Sequence, residues 1–442
     1  MSNTRTFARI ALAAVLAAPL SAPLAAPALA PRTYLDIGSP DFHPLPIAIA
    51  RFKAEPEVQS QASEMAQVLR DDLLLSGLFD LLDPKSFLAD PAEGMAAPTI
   101  RFTRWADIGA EGLVKVAVRR AAADVSAELH LYEVRAGKEV LFQVHTEKPA
   151  SARGLAHAFA DDIVRYYTHE PGIFRTRIAA IRKGKTISEL VLFDVDGGGA
   201  EVALRDSSLV MMPHWKPDGS ALLFTGFRSG RAALWTIPIA NRTPHSVLSL
   251  GELSSGGVYS PDGKHIAFTA STDGNADVWV ASADGTNPRR ITTDPALDTS
   301  PSWSPDGKRI AFVSNRSGSP QIFVMNADGS EQRRLTFQGT YNQTPRWSPR
   351  GDLIAFTARD ERKVFDVFTV AVNGGKIQRV TQDQGLTNEE PSWAPNGRLL
   401  VFTSDRSGKP QLVISTPTGD HQKVITSDAG ELATPTWGPL GQ

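Results

Sequence analysis

The chain has 442 residues, 42% of them hydrophobic and 21% charged, with a formal net charge of -2 and no cysteine. The near-neutral charge argues against a nucleic-acid partner, and without cysteine there is neither a disulfide framework nor a lipid anchor of the lipoprotein kind. A chain of this length exceeds what one compact core usually holds, so two domains are predicted.

The N-terminal residues have the pattern of a secretory signal peptide. Arg5 and Arg9 precede an apolar run over 10–18, and the small-residue stretch APLAAPALA follows. The apolar run is too short to span a membrane, and no other segment is long and apolar enough to do so. We predict a signal peptide over 1–28, with the cut placed to within a few residues, and an exported, soluble mature protein.

The segment over 29–170 is predicted to form an α/β domain. A strand is expected over 45–52, and an amphipathic helix is expected to start at Pro56 and to end near Gly77. A second amphipathic helix starts at Ser151, whose hydroxyl is suited to cap it. The remaining apolar runs between these helices predict four strands, over 78–82, 112–120, 124–134 and 139–145.

A repeated pentad of the form Trp-Ser-Pro-Asp-Gly predicts a β-propeller over 171–442. Its aromatic residue recurs at steps of 44, 44, 44, 46 and 44 residues, as Trp215, Tyr259, Trp303, Trp347, Trp393 and Trp437. In the third copy, turn signals separate four short strands, predicted over 301–303, 309–314, 321–326 and 333–336. Four-stranded units at this period, arranged around a channel, are typical of propellers.

The sixth copy has room only for an innermost strand, at 435–437. Three strand-like runs before the first repeat, over 177–184, 188–197 and 200–205, match the missing strands in order. The sequence therefore predicts an all-β six-bladed propeller closed by pairing the N- and C-terminal strands of the domain. Closure of this kind leaves no unprotected sheet edge.

The repeated pentad aspartates raise the question of metal binding. Asp218, Asp262 and Asp306 are replaced in the other copies by Arg350, Asn396 and Leu440, and the copies lie on different blades, so a turn role is favoured. No nucleophile-elbow, zinc-helix or phosphate-loop motif occurs. We therefore predict no catalytic residue, no metal ligand and no cofactor.

Two alternatives to a binding function stay open. A propeller hydrolase with a metal in the channel would need carboxylates or histidines on the inner strands, where only His214 and Arg346 are found. A ligand sensor that uses the channel mouth as a pocket is the other alternative. Protein binding is favoured because polar loops of similar composition lead into the inner strands, over 251–257, 294–300, 337–344, 384–390 and 428–434.

The chain resembles the TolB family of the Tol-Pal cell-envelope system of Gram-negative bacteria. The resemblance rests on the propeller repeats, the segment GIFRTRIA at 172–179 and the stretch VLRDDLLLSGLFDLLDP at 68–84. It implies a monomeric, non-enzymatic periplasmic adaptor without a membrane span. Its expected partners are the Pal lipoprotein and the C-terminal domain of TolA, and its expected role is in outer-membrane integrity and envelope constriction at cell division.

The resemblance also implies which residues meet these partners. Pal is expected to bind in the loops before the inner strands, at Leu253, Ser254, Gly256, Thr299, Ser300, Thr340, Asn342, Asn388 and Glu389. The stretch LSSGGVY departs from the family pattern by having two glycines and no histidine. TolA is expected to bind the mature N-terminus at Arg32, Thr33, Tyr34, Leu35, Asp36 and Ile37, where alternating side chains suit addition of a strand to a partner sheet. The same segment could instead form a strand of its own domain.

Overall fold

The computed structural model of the chain describes residues 42–441 except 89, 91 and 360. The predicted signal peptide and the predicted TolA-binding residues 32–37 lie outside the described residues. The chain forms an N-terminal α/β domain followed by a β-propeller, so the predicted fold class is confirmed.

The N-terminal α/β domain is built on one mixed sheet. Its elements are β1 (Leu45–Ile49), β2 (Lys53–Ala54), α1 (Gln59–Leu75), β3 (Phe79–Leu81), α2 (Phe102–Asp107), β4 (Gly112–Ala121), β5 (Asp124–Glu133), β6 (Lys138–Glu147) and α3 (Ala152–Thr168). The strand order is β3-β1-β4-β5-β6, with β2 also paired to β4. Strand β1 runs parallel to β3 and β4, whereas β4, β5 and β6 are antiparallel.

The two faces of this sheet have separate cores. Helices α1 and α3 pack on one face, where Met65 and Phe159 are fully buried against residues such as Val116. The opposite face is covered by the chain between β3 and β4, with Trp105 of α2 packed near Leu113. Alternation of side chains along β4 places successive residues on opposite faces, which explains the two cores.

Three local predictions in this domain can be compared with the structure. The first helix begins at Gln59 after a 3₁₀ turn over Pro56–Val58, and Gly77 has the expected left-handed conformation with φ of 68°. Ser151 precedes α3, but its side chain makes no capping hydrogen bond, so that prediction was wrong. A 3₁₀ turn over Pro149–Ser151 leads directly into the helix, and within it the Ser151 backbone N–H donates to the Lys148 carbonyl.

The propeller consists of six four-stranded sheets. Five are continuous in sequence and contain β10 (Val210–Trp215), β11 (Ala221–Gly226), β12 (Ala233–Pro238), β13 (His245–Leu248), β14 (Leu253–Tyr259), β15 (His265–Ser271), β16 (Ala276–Ser282), β17 (Arg289–Arg290), β18 (Asp298–Trp303), β19 (Arg309–Ser314), β20 (Gln321–Asn326), β21 (Arg333–Arg334), β22 (Tyr341–Trp347), β23 (Leu353–Arg359), β24 (Phe365–Ala371), β25 (Gln378–Arg379), β26 (Asn388–Trp393), β27 (Leu400–Ser404), β28 (Gln411–Ser415) and β29 (Lys423–Val424). Each second strand carries a fully buried phenylalanine that fills the space between blades: Phe224, Phe268, Phe312, Phe356 and Phe402.

The sixth blade is built from both ends of the propeller, as predicted. Its strands are β7 (Arg177–Lys183), β8 (Ser188–Asp194), β9 (Glu201–Asp206) and β30 (Glu431–Trp437), in the order β30-β7-β8-β9. Strand β30 is innermost and pairs antiparallel with β7, with Trp437 opposite Ile178. The last strand of the chain therefore closes the ring onto its first propeller strand.

Candidate protein-docking site at the propeller mouth

The inner strands of the six blades all begin at one face of the ring, which we call the mouth. Each inner strand carries a β-bulge near its start, marked by a shift in its register with the second strand. One residue of every bulge has a positive φ, between 50° and 62°: Met212, Gly256, Ser300, Thr344, Glu390 and Thr434. A bulge bends its strand and re-aims the residues beside it, so the bulges shape the mouth.

Hydrogen bonds from the bulges tie neighbouring blades together. The backbone N–H of Gly256 donates to the Thr225 hydroxyl of the preceding blade at 3.0 Å, and Ser300 donates in the same way to Thr269 at 3.1 Å. In the blade that closes the ring, the Thr434 N–H donates to the Glu390 carboxylate at 2.6 Å. Because these bonds satisfy backbone groups inside the channel, they hold the mouth in one shape.

A recurring residue pair in the sequence accompanies these bulges. A Phe-Thr pair recurs in the second strands, as Phe224-Thr225, Phe268-Thr269, Phe356-Thr357 and Phe402-Thr403. The predicted inner strands started too late, at 301 instead of Asp298 in the third blade. The bulge interrupts the alternation of apolar and polar residues, so the residues before it were predicted to be loop.

Most of the predicted Pal-binding positions therefore belong to the first residues of inner strands. Leu253, Gly256, Thr299, Ser300 and Glu389 are half-buried at the mouth, and Thr340 is exposed in the loop before β22.

The other three predicted positions have buried side chains. The Ser254 hydroxyl donates a hydrogen bond to the Leu250 carbonyl. The side-chain amide of Asn342 donates to Gln321 and Thr336, and that of Asn388 donates to Asp366. These three side chains hold the entering loops in place.

Large apolar side chains are exposed around the same mouth. Phe337 and Leu386 expose 72% and 71% of their surface in the loops before β22 and β26. The loops before other inner strands add Leu209 and Leu297, and Tyr341 begins β22. The sequence predicted these loops to be polar. Their exposed apolar side chains were not predicted, because isolated apolar residues in a loop have no periodicity.

The channel itself contains charged groups in low-dielectric surroundings. Burial and the nearby Glu390 charge raise the pKa of Glu389 to about 7. Burial also raises the pKa of Glu390, against the hydrogen bond from Thr434 and the charge of Arg346. Burial and the Arg346 charge lower the pKa of His214 to about 3, so this histidine is neutral at physiological pH.

The far end of the channel holds the six aromatic residues of the repeated pentad. They surround a cavity of about 230 Å³, together with His214 and Arg346. The aspartates of the pentad turn away from it into their own turns: Asp262, for example, accepts the Lys264 N–H at 3.1 Å and the Ser260 hydroxyl at 2.5 Å. The predicted turn role of these aspartates is confirmed.

A second group of ionisable residues lies where α3 meets the sixth blade. The Nδ1–H of His157 donates to the Asp72 carboxylate at 2.7 Å, and its Nε2 lies 3.8 Å from the Asp194 carboxylate. Arg153 pairs with Asp194 and Asp196. Among the described residues, His157, Asp194 and Asp196 are the one group of side chains spaced to hold a metal ion, and this group lies away from the channel. Arg153 already supplies a cation there, so the arrangement is an ion-pair contact between α3 and the propeller.

Comparison with known proteins identifies the family. The family model described as TolB beta propeller domain matches residues 164–441, and that described as TolB amino-terminal domain matches residues 33–140. The chain belongs to the TolB family. A Tol-Pal system protein TolB from Anaeromyxobacter dehalogenans is 60% identical over 409 residues, which cover 92% of this chain and 94% of that protein.

Two more distant matches are also named TolB. A Tol-Pal system protein TolB from Myxococcus xanthus is 46% identical over 199 residues, 45% of this chain and 46% of that protein. The crystal structure of TolB from Acinetobacter baumannii superposes with a TM-score of 0.80 at 26% identity and covers 90% of this chain and 97% of that one. This TolB-family chain is thus a protein of the Tol-Pal system. In the described part of the chain, no helix is long and apolar enough to cross a membrane.

Proposed function

We propose that this protein is a non-enzymatic periplasmic adaptor that links two other components of the Tol-Pal system. It binds the Pal lipoprotein at the propeller mouth and the C-terminal domain of TolA through residues 32–37. Through these contacts it supports outer-membrane integrity and envelope constriction at cell division. The observation that carries the proposal is the mouth itself, where exposed apolar side chains surround a rigid, hydrogen-bonded ring.

The exposed apolar residues favour a protein partner over a small ligand. Contiguous exposed apolar surface rimmed by polar groups marks protein interfaces, and aromatic side chains contribute much of the binding energy there. Phe337, Tyr341 and Leu386 provide such exposed apolar anchors. The half-buried Thr299, Ser300 and Glu389 lie closer to the channel, on the inner strands. In this proposal the buried Ser254, Asn342 and Asn388 position the loops, and the half-buried and exposed residues touch Pal.

The chemistry of the channel supports a non-enzymatic role. His214 is held neutral next to Arg346, and the described inner strands bring no second histidine or cysteine to it. The inner strand β26 carries two carboxylates, Glu389 and Glu390, which were predicted to lie in a loop, and Glu390 accepts the Thr434 N–H. A nucleophile with a base within hydrogen-bond reach, which covalent catalysis would require, is not formed by the described residues of this channel.

The test is a pull-down from envelope extract with the mature protein as bait, with captured proteins identified by mass spectrometry. The proposal predicts that Pal and TolA are retained. Thr299→Arg, which places a bulky cation at the mouth, should lose Pal and keep TolA, whereas deletion of residues 29–39 should lose TolA and keep Pal. Retention of neither protein by the wild-type bait, or loss of both with either variant, would contradict the adaptor proposal.

A further inference from the structure

A cavity in the N-terminal domain lies where the chain topology makes a crevice. Strands β1 and β3 are adjacent and parallel, and their connections leave toward opposite faces of the sheet. The chain after β1 enters α1 on one face, and the chain after β3 leads to α2 on the other. In open α/β sheets, ligands bind beyond the carboxyl ends of parallel strands at this kind of switch point.

The cavity has the size and lining of a small-molecule site. Its volume is about 490 Å³, within the range of roughly 300–1,000 Å³ usual for ligand pockets. Ile49 at the end of β1 and Phe87 after β3 line it, so it opens directly beyond the two parallel strands. Met95 and the buried Trp105 complete an apolar wall.

A buried ion pair forms one side of this cavity. The Lys115 ammonium lies 2.7 Å from the Glu93 carboxylate, and the two side chains expose only 5% and 6% of their surface. Glu93 also accepts hydrogen bonds from the Arg101 backbone N–H at 2.9 Å and from the Trp105 indole at 3.1 Å. This carboxylate is therefore fully engaged and has no capacity to neutralise further cations.

Three more cations line the cavity and outnumber its one remaining acidic residue. Arg51, Lys53 and Arg70 form no ion pair with any residue in the part of the chain that the structure describes. The other acidic residue of the lining, Asp90, accepts the Ala92 N–H at 2.8 Å. Burial is the main cause that lowers the pKa of Lys115; the hydrogen bond and charge of Glu93 oppose this shift, and the charge of the nearby Lys53 adds to it.

We propose that this cavity binds a small amphiphilic carboxylate. Its apolar part would pack on Phe87, Met95 and Trp105, and its carboxylate would pair with Arg70, Arg51 and Lys53 at the opening. An arginine guanidinium presents parallel N–H donors that match the two oxygens of a carboxylate. The required chemistry is found both in a fatty acid and in the C-terminal end of a peptide with apolar residues.

The test uses isothermal titration calorimetry of the mature protein with three probes: octanoate, N-acetyl-dileucine and N-acetyl-dileucine amide. At least one of the two carboxylates should bind, and the amide should bind at least about tenfold more weakly than the matching peptide acid, because it lacks the charge. Binding of octanoate alone would identify a lipid-derived ligand, and binding of the peptide alone a peptide end. Failure of both carboxylates to bind at millimolar concentration would overturn the proposal, and so would binding of the peptide acid and its amide with equal affinity.

Two variants locate the site. Lys53→Gln combined with Arg70→Gln should weaken carboxylate binding at least about tenfold, and the fold should persist because neither side chain has an ionic partner to lose. Arg165→Gln, which removes an exposed arginine from α3, is the matched control and should change nothing. Unchanged binding by the double variant, or equal weakening by the control, would overturn the assignment. Pal binding by the double variant should match the wild type, which separates this proposal from the adaptor proposal.

Discussion

The indole N–H of Trp437 donates to the hydroxyl of Thr176 at 2.8 Å, joining residues 261 positions apart. Both groups are buried, and Thr176 lies just before the first propeller strand. The backbone around this contact adds a second bond, from the Gly438 N–H to the Arg177 carbonyl at 2.7 Å. The end of the chain is thus held at the point where the N-terminal domain passes into the propeller.

Trp437→Phe should lower the free energy of unfolding by about 1–3 kcal/mol, because it leaves the buried Thr176 hydroxyl without its donor. Trp303→Phe is the matched control, since Trp303 occupies the same place in the third blade and its indole N–H has no partner among the described residues. Urea unfolding of both variants measures the difference. Equal losses of stability would show that the hydrogen bond to Thr176 contributes nothing to closure.

The bond between the Gly256 N–H and Thr225 should be worth a measurable amount of stability. Thr225→Val removes the acceptor and leaves a partly buried N–H unpaired, which costs about 1–3 kcal/mol. Val313 occupies the same position in another blade, so the side chain itself fits there. Thermal unfolding monitored by circular dichroism should show a lower Tm for the variant. An unchanged Tm would mean that water replaces the threonine at the bulge.

Glu389 should make the propeller less stable as the pH rises. Its pKa is about 7 in the folded protein against 4.5 for the free side chain, so folding is unopposed by this group below pH 4.5 and is penalised increasingly up to pH 7. Glu389→Gln should therefore stabilise the protein at pH 8 by about 1–2 kcal/mol, after allowance for solvent screening, and by much less at pH 4.

Glu431→Gln is the control for this measurement, because it removes an exposed carboxylate from the same mouth. Urea unfolding at both pH values compares the two variants with the wild type. A gain for Glu389→Gln that is equal at the two pH values would rule out titration of Glu389 as its cause.

The contact between α3 and the propeller should weaken in alkaline solution. Burial lowers the pKa of His157, but the hydrogen bonds and charges of Asp194, Asp72 and Asp196 outweigh it and raise the pKa to about 10. Because the folded pKa of His157 lies above the unfolded value of 6.5, the stabilisation from its protonation is lost as the pH rises through about 10. Burial raises the pKa of its partner Asp72 to about 7, so the comparison is made above neutral pH, where Asp72 is charged. His157→Gln should lose this pH dependence in thermal unfolding, and the exposed His265→Gln should keep it. Identical pH profiles for wild type and His157→Gln would refute the contribution.

The propeller could be predicted from the sequence because each blade repeats the same local signals. Turn residues at fixed spacing and short apolar runs determine the strands one hairpin at a time. The sixth copy of the pentad, at Trp437, is followed by no further strands, so its partner strands had to come from elsewhere in the chain. The third blade illustrates the precision, with β19 and β20 beginning and ending where the pattern predicted.

The features that were missed depend on contacts distant in sequence. Helix α2 is short, and its Trp105 is held by a sheet face and by Glu93. The rim residues Phe337 and Leu386 are exposed, so no packing pattern marks them. Asn342 and Asn388 were predicted to meet a partner because the family resemblance implies binding in the loops before the inner strands. Their buried hydrogen bonds to Gln321 and Asp366 could not be predicted, because they form only when the neighbouring strands are in place.

The central proposal is that the exposed apolar side chains of the mouth bind Pal. Phe337→Ser combined with Leu386→Ser removes two of them, and Phe142→Ser combined with Val144→Ser removes two exposed apolar side chains from β6 of the N-terminal domain. Both double variants should keep the fold, because exposed side chains contribute little to stability.

The decisive measurement is isothermal titration calorimetry of the soluble domain of Pal into the mature protein and both double variants. The mouth variant should bind at least about tenfold more weakly than the wild type, since a few large, buried anchors carry most of the binding energy of an interface, and the β6 variant should bind as the wild type does. Wild-type affinity in the mouth variant, or an equal loss in both variants, would contradict the assignment of Pal binding to the propeller mouth.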